Sequence, residues 1–80
     1  MALARYFVFQ RGQDWLVTLD GAAIGRHPDR SAAVGSAIVM ASLMGSMRHD
    51  ADVMVDEGGR LDIAWIYGVD TLPRLRGEAA

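Results

Sequence analysis

The sequence predicts an α+β domain: an antiparallel sheet with one helix packed on one face, in the order β-β-β-α-β-β. Three observations carry this. Short runs rich in aromatic and β-branched residues lie toward both ends of the chain, and each is bounded by a glycine-containing turn. Between them, Ser31 to Met47 are seventeen residues without a charge, in a chain that is 22% charged. Asp20-Gly21 and Glu57-Gly58-Gly59 stand where alternating patterns stop, which is where a hairpin turns. One helix laid across one sheet buries the apolar stripe of each.

The first strand is Arg5 to Gln10, RYFVFQ. Arg11-Gly12-Gln13-Asp14 turns the chain into a second, Asp14 to Gly21, where Trp15, Val17 and Leu19 alternate with Leu16, Thr18 and Asp20. A type I′ turn needs positive φ at both central residues, which Asp20 tolerates and Gly21 prefers, so a third short strand follows over Ala22 to Arg26. Pro28 has no N–H for a ladder, and the Asp29 carboxylate is placed to accept from the free N–H groups of a helix's first turn. The helix then runs from Arg30 to about Met47. It contains Gly35 and Gly45, each costing about 1 kcal/mol relative to alanine in a helix interior, so packing must hold it.

A second hairpin closes the fold. ADVMVD puts Val53 and Val55 on one face, Glu57-Gly58-Gly59 turns, and RLDIAWIY puts Leu61, Ile63, Trp65 and Tyr67 on one face with Asp62, Ala64 and Ile66 on the other. Pro73 and the polar residues after it make 72–80 an irregular or frayed tail of a single domain spanning 1–80.

At 100° per residue, Ala33, Ala37 and Ala41 form a small-residue stripe, flanked by Val34 and Ile38 on one side and by Met40 and Met44 on the other. Ser31, Gly35, Ser42 and Ser46 make a narrow polar arc. The remaining flank, Val39, Leu43 and Met47, is apolar and faces water in a lone domain with one helix. Such a patch marks an interaction surface, and methionine suits a surface that adapts to a partner. The alternative is that the sheet curls over this flank, with Leu72 to Leu75 covering the rest. A membrane span is excluded, because seventeen residues with four serines and two glycines fall short of the roughly 20 strongly apolar residues required.

Composition removes several function classes. Ten acids stand against eight arginines and no lysine, a formal charge of −2, which does not favour nucleic-acid binding by counterion release. The N-terminus lacks the pattern of a signal peptide, and the absence of cysteine fits a reducing cytoplasm. Asp56-Glu57-Gly58-Gly59 lacks the lysine of a phosphate loop. His49-Asp50-Ala51-Asp52 is too sparse for a metal site, and neither a Ser-His-Asp nor a Cys-His set can be assembled. The expectation is a non-enzyme with no cofactor and no metal. A domain this small with neither disulfide nor zinc also has association as its remaining reinforcement.

Charge is unevenly spread. Asp50, Asp52, Asp56, Glu57 and Asp62 form an acidic set in the second half, while Arg5, Arg11, Arg26 and Arg30 form a basic set in the first. Either set is solvated surface, or one of them docks on a partner of opposite charge.

The chain resembles a family of small bacterial and phage domains of unknown function. The resemblance runs through YFVFQRGQDWLVTLDGAA, DRSAAVGSAIVMA and VMVDEGGRLDIAWIYG. Trp15 and Val17, Asp29, Ala33, Ala37 and Ala41, Val53 and Val55, Gly59, and Tyr67-Gly68 stand at its matching positions. It implies a fold and no activity. Family members carry lysines and glutamates on the exposed helix side, where this chain has Val39, Leu43 and Met47. In size, charge and style the chain also looks like small phage-encoded anti-CRISPR proteins, several of which block DNA binding by a Cascade-type surveillance complex.

The functional expectation is therefore a non-enzymatic binding protein acting by occupying a partner surface. Its most specific form is an inhibitor of a CRISPR surveillance complex in the host cytoplasm, with the acidic set imitating phosphates. Alternatives are a homodimeric or higher assembly module with Val39, Leu43 and Met47 as its seam, and a weak nucleic-acid binder using the basic set.

Overall fold

A computed structural model describes residues 3–70. The elements are β1 (Leu3–Arg11), β2 (Asp14–Leu19), β3 (Ala22–His27), α1 (Arg30–Ser46), β4 (Asp50–Glu57) and β5 (Arg60–Ile66), the expected order. The tail foreseen over 72–80 lies outside the described residues.

The sheet has the order β3-β2-β1-β4-β5 and is mixed, which corrects the expectation of a purely antiparallel one. β1 pairs with β4 in parallel and every other pair is antiparallel. The reason is the helix. β1 and β3 each run antiparallel to β2, so they point the same way. At 1.5 Å per residue the helix carries the chain about 25 Å back to the end of the sheet where β3 began. The next strand therefore runs parallel to β3 and to β1, and it takes the free edge of β1.

Local signals set the turns and caps. Asp20 (φ 54) and Gly21 (φ 83) both adopt positive φ at the β2–β3 hairpin. Asp29 Oδ1 accepts from the N–H of Ala32 at 2.8 Å, a cap worth about 1 kcal/mol. At the other end the N–H of Arg48 donates to Gly45 O and the N–H of His49 to Met44 O, which closes the helix with Arg48 in the left-handed region (φ 71). Glycine is the residue that adopts this conformation without strain. Arg48→Gly is thus expected to raise stability by about 1 kcal/mol, read as an upward shift of the urea midpoint at unchanged slope.

The core lies between the helix and one face of the sheet. Ala33, Ala37 and Ala41 are fully buried and let the helix sit close to Tyr6 and Val8 of β1, Val17 of β2, and Val53 and Val55 of β4. Ile38 is buried, and Val34, Met40 and Met44 pack around the rim as their angles predict. Gly45 is buried, and a methyl group on it would overlap the ring of Tyr67.

One facing differs from expectation. Leu61, Ile63, Trp65 and Tyr67 do not share a face. Val53 pairs with Trp65 while Met54 pairs with Ile63, so Ala64 is one extra residue in β5. A bulge of this kind inverts the alternation across it. Trp65 turns under the helix and is buried, with Tyr67 edge-on to it, while Leu61 and Ile63 turn to the sheet's other face. β3 carries the matching irregularity: Val17 pairs with Gly25 and Thr18 with Ala23, leaving Ile24 extra.

Candidate interaction surfaces

The helix flank is where its angles place it. Val39, Leu43 and Met47 are 50%, 60% and 59% exposed, so the sheet does not curl over them. The segment Leu72 to Leu75 falls outside the described residues.

A second apolar surface was not expected. The face of the sheet opposite the helix carries Phe7 and Phe9 of β1, Leu16 of β2, Met54 of β4, and Leu61 and Ile63 of β5, side chains that alternate with the core-facing ones. Leu16 and Met54 are buried by their neighbours in this layer, Phe7 and Phe9 are half-buried, and Leu61 and Ile63 are 50% and 57% exposed. A signal for it exists in the sequence. RYFVF is apolar at both parities, and so is most of ADVMV, which marks strands apolar on both faces.

The two charged sets do not form two separate faces. Arg5 and Asp52 stand opposite each other on β1 and β4. Arg5 Nε donates to Asp52 Oδ1 at 2.9 Å and Nη2 to Oδ2 at 2.9 Å, a two-pronged pair across the parallel strands. These hydrogen bonds, and then the carboxylate's charge, raise the Arg5 pKa and keep the guanidinium protonated. Asp52 is only 7% exposed. Arg30, at the helix start, pairs with Glu57 at the end of β4. Arg26 approaches Asp14 at 3.7 Å and Arg60 approaches Asp62 at 3.6 Å, both pairs well exposed. Asp56 Oδ1 accepts from the N–H of Gly59 and shapes the β4–β5 turn. Asp50, at the start of β4, is exposed.

Because Asp52 is buried, removing its partner costs more than removing both charges. Arg5→Ala is expected to lower the melting temperature further than the double change Arg5→Met with Asp52→Leu, since an unpaired carboxylate held among side chains is worse than an apolar pair. Thermal unfolding followed by circular dichroism checks the order; a double variant less stable than Arg5→Ala contradicts it.

At one corner of the open face, Arg11, Asp14, Leu16, Ala23, Gly25 and Arg26 line a shallow hollow of about 430 Å³. Arg11 reaches it from the end of β1, its guanidinium 6.0 Å from the centre of the Phe9 ring. Among the described residues no three His, Cys, Asp or Glu side chains gather where they could hold a metal ion, and Asp52 of the His49–Asp52 stretch is turned to Arg5. No helix among them is long and apolar enough to cross a membrane.

Fold and surfaces together define a small two-layer α+β domain with apolar surface on the outside of both layers. Comparison with protein-family models, with curated proteins and with solved structures gives no match.

Proposed function

We propose that the protein is a non-enzymatic binding module whose function is association, and that its first partner is a second copy of itself. The observation that carries this is the open sheet face, six apolar side chains across four strands on the side the helix does not cover. An apolar area of this extent on a small domain marks a contact surface. The titratable groups support the same reading. Arg5, Arg30, Asp52 and Glu57 are spent on ion pairs that tie β1 to β4 and the helix start to β4, and Asp29 on a capping bond.

Imitation of nucleic-acid phosphates, the surveillance-complex inhibitor of the opening expectation, needs the acidic set free. Asp52, Glu57 and Asp62 each have an arginine, so self-association is preferred. Light scattering coupled to size exclusion, over a dilution series, is the test. A mass that falls from dimer toward monomer on dilution is expected, and a monomer mass at every concentration overturns the proposal.

A further inference from the structure

We infer that two copies pack open face to open face, about a two-fold axis that runs along the strands between β1 and β2, with the two helices on the outside. This rests on the self-association just proposed and specifies its surface.

The argument starts from the strand register. Leu16 stands opposite Arg26 and Phe9 opposite Leu16, and because Val8 is beside Val55, Phe9 is beside Asp56. One row of the open face therefore reads Arg26, Leu16, Phe9, Asp56 from β3 to β4. A rotation by 180° about an axis between β2 and β1 reverses this row on the second copy. Arg26 then meets Asp56 of the second copy, and Leu16 meets its Phe9. The row beyond holds Asp14 and Arg11, which stand opposite each other in β2 and β1. The same rotation lays Arg11 over the second copy's Asp14. The row on the other side reads Ala23, Thr18, Phe7, Met54, so Thr18 meets Phe7 and Met54 comes over Ala23. Each row is thus complementary to its own reverse, as an isologous interface requires.

Shape agrees with charge. The hollow lined by Ala23, Gly25 and Leu16 lies under the position that the rotation gives Met54 and Asp56 of the second copy, and Arg11, Asp14 and Arg26 stand at its wall. Small residues there meet a large one, and Arg26 at the wall meets the acid. Turning the second copy end over end instead brings the Asp56 end of β4 over its exposed Asp50 end, acid toward acid.

Area separates this face from the helix flank. Four strands spaced about 4.8 Å apart and seven residues long at about 3.3 Å each cover about 440 Å² in plan, so two copies remove close to 900 Å² before side-chain relief is counted. Specific interfaces begin near 1,000 Å² in total. Val39, Leu43 and Met47 span about 12 Å of one helix, a small fraction of that. Pairing along the sheet edges is disfavoured by the extra residues Ile24 and Ala64, since a bulge interrupts an edge. Aligned face-to-face packing is the ordinary way two sheets meet, and it leaves Leu61 and Ile63 along the rim.

Charge reversal tests the placement. Arg26 is 74% exposed in its side chain, so its replacement is expected to leave the fold intact. Arg26→Asp and Asp56→Arg, each alone, are expected to weaken the dimer about tenfold or more in sedimentation velocity, and the double variant is expected to recover most of the loss. Thr18→Glu, at the apolar centre, should abolish the dimer while circular dichroism stays native. A double variant no better than either single one overturns the two-fold placement. A dimer that survives all of these and is lost on Leu43→Glu overturns the inference and keeps self-association, with the helix as the seam. A wild-type monomer at near-millimolar concentration overturns both.

Discussion

Ala37→Leu is expected to destabilise the fold by about 3 kcal/mol, enough to leave a domain of this size partly unfolded at 25 °C. Ala33, Ala37 and Ala41 are fully buried, and their methyl groups set how near the helix axis comes to the sheet. Below the stripe lie Val8, Val17, Val53 and Val55, the most deeply buried of the larger side chains. Three added carbons at the middle of the stripe have no void to enter. They either force the helix away from the sheet along its length or drive the valines off their rotamers. Ala32→Leu, five residues earlier and exposed, is the matched control and should change stability by less than about 0.5 kcal/mol. Urea unfolding of the two variants measures the contrast; equal midpoints would mean that the helix rides freely on the sheet.

Gly35→Ala and Gly45→Ala are expected to move stability in opposite directions, although both replace a helical glycine. Propensity alone favours each by about 1 kcal/mol. A methyl group on Gly35 meets open space, so that gain is realised. On Gly45 it overlaps the Tyr67 ring, whose root atoms cannot swing aside as the end of a flexible chain would, and the net cost is about 1–3 kcal/mol. Adding Tyr67→Ala to Gly45→Ala should remove the penalty, so the two changes are strongly non-additive. If Gly45→Ala raises the melting temperature as Gly35→Ala does, Tyr67 does not pack where the structure places it.

What could be read early was what depends on a few neighbouring residues. Asp20-Gly21 gave a hairpin because its φ requirements are met within two residues, and Asp29 gave a helix start because its carboxylate reaches only to Ala32. The alanine stripe and the flank Val39, Leu43 and Met47 followed from angular periodicity, which the helix obeys throughout. The facing of β5 did not follow. Its alternation is broken by one extra residue at Ala64, and nothing in RLDIAWIY distinguishes a bulged strand from a regular one. The segregation of acids from arginines along the chain likewise failed to become two faces. Arg5 and Asp52 are 47 positions apart in sequence and are brought together only because β4 lies beside β1.

The sequence by itself determined the element order, the turns, both helix stripes and a chain with more apolar surface than one helix covers. These are set by propensity, capping and period, all local in range. Only the tertiary structure decided that β4 joins β1 in parallel, that Trp65 enters the core while Ile63 leaves it, and that Phe7, Phe9, Leu16 and Met54 meet on one open face. Strand neighbours and register arise from how the whole sheet and helix share a core, and no short window of residues contains that information.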